Sequence, residues 1–100
     1  MRVRLPAMLL CAALPLLACR SEPRVMRIEI AVEGMTCESC VEGITHEVGR
    51  LEGVQSVEVD LATNTAVVEY VEGTVEPAGL EQTIEALGYA ATPGSPVAGP

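Results

Sequence analysis

From residue 25 the chain alternates. Met26, Ile28, Ile30 and Val32 take every second position of VMRIEIAVE (25–33), and Arg27, Glu29 and Glu33 lie between them with Ala31. A period of two predicts a strand with one buried face. Gly34-Met35-Thr36 ends the alternation. From about 38 to 51 the period lengthens, and Val41, Ile44, Val48 and Leu51 form one stripe of a helix. Glu38, Glu42 and Glu47 lie off that stripe, and Glu38 falls in the first turn, where the helix dipole favours negative charge. Gly43 and Gly49 each cost about 1 kcal/mol against alanine, so this helix depends on packing.

Gly53 stops the helix. Val54, Val57, Val59 and Leu61 predict a second strand over 54–60, and Ala62-Thr63-Asn64-Thr65 a hairpin loop in which Asn64 tolerates positive φ. A third strand follows over 66–71, with Ala66, Val68 and Tyr70 inward. After the loop 72–76, Pro77 opens a second helix. Leu80, Ile84 and Leu87 stripe it to residue 87, and Gly88 ends it. Tyr89-Ala90-Ala91 then predicts a short edge strand. The order βαββαβ is that of an α+β, ferredoxin-like sandwich, a four-stranded antiparallel sheet with two helices on one face. The domain spans 25–92, and the Pro/Gly-rich stretch 93–100 is expected to be disordered. With no Phe or Trp, Val, Ile and Leu must fill a core that yields only a few kcal/mol of net stability.

The first 18 residues follow another pattern. A basic start, Met1-Arg2-Val3-Arg4, precedes the apolar run Leu5–Ala18. This reads as an export signal, because a spanning helix needs about 20 apolar residues. The signal ends in Leu16-Leu17-Ala18-Cys19. That sequence resembles the lipobox of bacterial lipoproteins, although Leu17 stands where a smaller residue is commoner. The resemblance implies lipidation at Cys19, a short linker over 19–24, and a domain held close to the membrane, facing the periplasm of a bacterial cell envelope. Arg20 in place of an Asp points to the outer membrane.

Charge narrows the partners. The whole chain carries −8; removal of 1–18 takes away Arg2 and Arg4 but no acid, so the remainder carries −10. Nucleic acid is excluded on that ground. The many glutamates read as a solvated face rather than a dedicated docking surface, and membrane attachment is assigned to the lipid.

Of four cysteines, Cys11 leaves with the signal and Cys19 is assigned to the lipid. Cys37 and Cys40 remain, in Gly34-Met35-Thr36-Cys37-Glu38-Ser39-Cys40 at a strand-to-helix junction. Their spacing alone admits a disulfide, a redox dithiol or a metal site. A helix N-terminus lowers thiol pKa, and two thiolates without further ligands suit soft ions that accept two-coordination, Cu(I) or Hg(II). Zn(II) and Cd(II) rank behind, zinc because it usually takes four ligands. The expected load is one ion per chain.

At these residues the chain resembles the heavy-metal-associated domain family. GMTCESC matches its metal-binding motif, and the likeness extends through Val41, Ile44, LEGVQSVEVDLATNTAVVEY (51–70) and IEALGYAA (84–91). The family includes copper chaperones, N-terminal modules of metal-exporting P-type ATPases and periplasmic mercury-binding proteins. The resemblance implies the same fold, Cys37 and Cys40 as ligands, no catalysis, and handover of the ion to a transporting ATPase or efflux component by a monomer. It also implies a core position for Met35 beneath the loop, with a thioether ligand as the other reading, and places Tyr89 beside the metal, where its ring or hydroxyl either shields the site or sits half-buried with its polar end in water. His46, well along the helix, reads as a surface residue rather than a third ligand. Two other readings stay open: a thiol–disulfide redox protein using the same pair, and a docking module in which the cysteines are incidental.

Overall fold

Strand β1 (Val25–Glu33) carries the alternation into space: Ile28, Ile30 and Val32 are buried, while Arg27, Glu29, Ala31 and Glu33 are exposed. A computed structural model describes residues 23–99 of the chain. The expected export segment 1–18, Cys19 and most of the linker lie outside the described residues. Helix α1 (Glu38–Gly49) follows, then β2 (Val54–Asp60), β3 (Thr65–Val71), α2 (Pro77–Ala86), β4 (Ala90–Pro93) and β5 (Val97–Ala98). The sheet runs β2-β3-β1-β4, with β5 also on β1 and every pairing antiparallel. With two helices on a four- to five-stranded antiparallel sheet, this is the ferredoxin-like sandwich.

The core forms where the apolar faces of four elements meet. Ile28, Ile30 and Val32 of β1 and Val68 of β3 lie under Ile44 and Val48 of α1 and Leu80 and Ile84 of α2, all essentially without solvent contact. Each contributes about 1.5–3 kcal/mol by leaving water. Ala66 and Tyr70 complete the inward face of β3, as the alternation predicts. Leu87 departs from expectation: α2 closes at Ala86, Leu87 becomes its C-cap, and its side chain is 39% exposed.

The register sets two poles. Ala31 pairs with Thr65, Thr65 with Asp60, and Glu33 with Ala90. The loop 34–37, the hairpin 61–64 and the segment 87–89 therefore share one end of the sandwich. Asn64, at φ 55°, makes that hairpin. Val25 and Val54 align with Val71 and Tyr70 at the other end. The described arginines avoid the loop pole: Arg24 precedes β1, Arg27 lies near its start, and Arg50 caps the far end of α1.

The stretch from 93 onward differs from the disorder expected of it. Pro93 closes β4 opposite Ile30, and Val97–Ala98 pairs with Met26–Arg27. Open backbone groups on the β1 edge hold it there, a tertiary cause that Pro/Gly content does not report.

Candidate metal centre

The turn that carries the two cysteines is built by Gly34 and by the start of α1. Gly34 adopts φ 105°, a conformation that strains any residue with a Cβ. A Cβ there would also meet the Tyr89 ring at 3.4 Å. Tyr89 thus packs across the base of the turn, half-buried against the core. Met35 is drawn inward and is 8% exposed, which turns the next two residues outward.

Cys37 is the N-cap of α1, with extended backbone (φ −162°, ψ 176°), and its side chain makes no capping hydrogen bond. The thiol is instead exposed and lies 3.0 Å from the Ser39 hydroxyl. Cys40, one turn along, is half-buried, and its N–H donates to the Cys37 carbonyl at 3.0 Å. The backbone N–H of Thr36 donates to Cys40 Sγ at 3.5 Å, and Thr36 Oγ1 lies 3.9 Å from the same sulfur. Both thiols are free, with their sulfurs 4.0 Å apart.

These donors favour the ionised form of both thiols. The Thr36 N–H contributes most at Cys40, followed by the Tyr89 hydroxyl and the Cys37 backbone, and together they lower its pKa to about 6. Cys37 is also lowered, chiefly by the Ser39 hydroxyl and then by the backbone N–H groups of Ser39 and Cys40. The Tyr89 phenol is raised in turn, mainly by the neighbouring Cys40 thiol. Thiolates are the metal-binding form of cysteine.

The spacing fits a single soft ion. With metal–sulfur bonds of about 2.3 Å, sulfurs 4.0 Å apart subtend about 120° at the ion, and opening to about 4.6 Å makes the arrangement linear. Among the described residues no group of three or more His, Cys, Asp or Glu side chains converges on a common point. His46 is exposed in the last turn of α1, about 13 Å of helix rise from Cys37. A surface depression of about 710 Å³ is lined by residues including Glu29, Glu38, Glu58 and Asp60 and contains neither cysteine.

The structure therefore brings together Cys37, Cys40 and Tyr89, sets Met35 beneath them and leaves His46 remote. Sequence reasoning missed Thr36 and Ser39 as thiolate donors. The available signal for Ser39 was a hydroxyl residue directly before Cys40; the Thr36 donor is chiefly its main-chain N–H, which residue type does not report.

Comparison with known proteins places this geometry. Residues 29–90 match the heavy-metal-associated domain. The copper chaperone CopZ of Enterococcus hirae is 42% identical over 66 residues, which cover 66% of this chain and 96% of CopZ. Human copper-transporting ATPase 2 is 44% identical over 63 residues, 63% of this chain but only 4% of the ATPase. Among solved structures, the Cu(I)-loaded N-terminal domain of a potential copper-translocating P-type ATPase from Bacillus subtilis superposes with a TM-score of 0.69 at 29% identity, covering 73% of this chain and 91% of that one. Oxidised MerP from Ralstonia metallidurans superposes with a TM-score of 0.67 at 25% identity, covering 71% and 99%.

Proposed function

This chain belongs to the heavy-metal-associated domain family, and on that premise we propose that it binds one Cu(I) ion between Cys37 and Cys40 and hands it to a copper-transporting ATPase. The observation that carries the reading is the pair of free thiols, 4.0 Å apart on an exposed turn, each supplied with hydrogen-bond donors that favour the thiolate. CopZ, 96% of which is covered by the match, is a copper chaperone, and that coverage supports the chaperone reading.

Transfer follows from the unequal exposure of the two sulfurs. Cys37 is exposed and Cys40 half-buried. A partner thiolate approaching from solvent attacks the bound ion on the Cys37 side. A three-coordinate intermediate forms, and Cys37 leaves before Cys40. The attack adds one metal–sulfur bond and the departure of Cys37 removes one; a second partner thiolate then adds as Cys40 leaves, so coordination is restored at each exchange and no oxidant is needed. The acidic residues beside the turn, Glu33 and Glu38, suit a partner with basic residues around its own cysteines.

Hg(II) is the second reading, motivated by the likeness to MerP. Titration of the reduced protein with each ion against a competing thiol or Cu(I)-specific chelator separates the two. Saturation at one Cu(I) per chain, lost in Cys37→Ser/Cys40→Ser, is the expected result. Failure of the reduced protein to compete for Cu(I) refutes the first reading. Insulin-reducing activity that disappears in Cys40→Ser would replace it with a redox role.

Export and lipid anchoring at Cys19 are part of the same proposal and rest on the sequence Leu16-Leu17-Ala18-Cys19. Mass spectrometry of the protein from the cell envelope tests them: an acylated N-terminal cysteine is expected, and an intact or non-acylated N-terminus counts against them.

A further inference from the structure

The match to the family ends at residue 90, yet the chain beyond it does specific work on β1. In an antiparallel ladder, alternate residues of a strand direct their backbone groups to the same side. The carbonyls of Glu29 and Val25 point away from β3, and Gly94 and Gly99 donate to them at 2.8 and 2.7 Å. Between these two bonds Val97 and Ala98 pair with Arg27 and Met26. The register drifts by one residue along the way, since Pro93 opposes Ile30 but Val97 opposes Arg27, so the segment carries a bulge. A Cβ on either glycine would crowd β1: one on Gly94 would lie 3.1 Å from the Glu29 carbonyl oxygen, and one on Gly99 3.1 Å from that of Val25. Pro96 lies beside Met26, Tyr70, Val75 and Pro77, roofing a shallow opening at the far pole.

Without this segment, β4 covers β1 only from Ile30 to Glu33. Half of a nine-residue strand would then present unpaired N–H and C=O groups, the template on which a second strand adds. The segment's own outer edge is poor for pairing. Since Gly94 and Gly99 donate inward, alternation sets the nitrogens of Pro93 and Pro96 outward, and proline has no N–H to offer there.

We propose that residues 94–99 form a strap that guards the β1 edge, and that the surface it hides is a pairing site for a second copy of this chain. Strap and metal loop lie at opposite poles, so the strap keeps the domain single without obstructing the cysteines. This inference is independent of which ion the cysteines take.

The test uses Cys37→Ser/Cys40→Ser throughout, so that neither metal nor disulfide links two chains. Residues 23–100 contain the whole described core and correspond to a relative that is itself little longer than the matched segment; this domain is compared with residues 23–93 by sedimentation. The longer form is expected at the monomer mass and the shorter at twice its own mass, with Arg27→Pro returning the shorter form to monomer by removing an edge N–H. A monomeric 23–93, or a dimer indifferent to Arg27→Pro, overturns the proposal. Should circular dichroism show 23–93 to be unfolded, Gly94→Val/Gly99→Val in 23–100 displaces the strap by crowding: a dimer supports the proposal and a monomer overturns it.

Discussion

The backbone N–H of Thr36 points at the sulfur of Cys40 from 3.5 Å. It is the largest single influence on that thiol, which ionises near pH 6 rather than at its ordinary value of 9.0. The residue before the first cysteine thus prepares the second. A hydrogen bond given to an anion shifts the equilibrium toward the anion, and here the donor is main chain, available whichever side chain occupies position 36.

Alkylation of the reduced, metal-free protein by iodoacetamide should therefore show a component with its midpoint near pH 6, assigned to Cys40 by peptide mapping. The same shift fixes the sign of a stability effect. Because the folded-state pKa is depressed, ionisation of Cys40 stabilises the fold in full above about pH 9, and that contribution is lost as pH falls through about 6. Denaturant unfolding of the reduced apo protein should give a lower midpoint at pH 5 than at pH 8 and no such dependence on this group in Cys40→Ser.

Tyr89→Phe removes the second donor to Cys40 while keeping the ring that packs on Gly34. The alkylation midpoint should rise, and Cu(I) affinity at neutral pH should fall modestly, with the melting temperature little changed. An unaltered midpoint would show that the hydroxyl does not reach the sulfur in solution.

Two glycines should respond to alanine in opposite directions. Gly43 lies inside α1, and a Cβ added there would have nothing within 4 Å, so Gly43→Ala should stabilise by about 0.5–1 kcal/mol. Gly53 has φ 90°, and a Cβ there would overlap the Thr74 side chain, so Gly53→Ala should destabilise. Urea midpoints measured on both variants check the pair.

Ile44 is fully buried between the sheet and α2. Ile44→Ala should cost about 2–5 kcal/mol, close to all the net stability of so small a core. Loss of the cooperative thermal transition is expected, with partial recovery when saturating metal is added, since a ligand bound only to the native state shifts the equilibrium toward it.

A bound ion should protect the cysteines from oxidation. A disulfide requires sulfurs about 2.05 Å apart, and the exposed Cys37 side chain can close the 4.0 Å gap by rotating. Incubation with oxidised glutathione should consume both thiols of the apo protein and spare them in the loaded one. Equal loss in both forms would contradict a dithiolate site.

The order βαββαβ and the inward faces were legible in the sequence because burial on one side imposes a period, two for a strand and 3.6 for a helix. Ile28, Ile30 and Val32, then Ile44 and Val48, then Leu80 and Ile84 declare that period without reference to anything distant. The candidate site was legible for a related reason: Cys37 and Cys40 are three positions apart, so one local turn suffices to bring them together. Properties that depend on partners remote in the chain needed the fold. Tyr89 lies about 50 residues from Cys40, and only the pairing of β4 with β1 brings it to the metal turn. The order of residues 94–99 came from the free edge of a strand nearly 70 residues earlier, because a hydrogen bond across a sheet is set by register, which local composition does not encode.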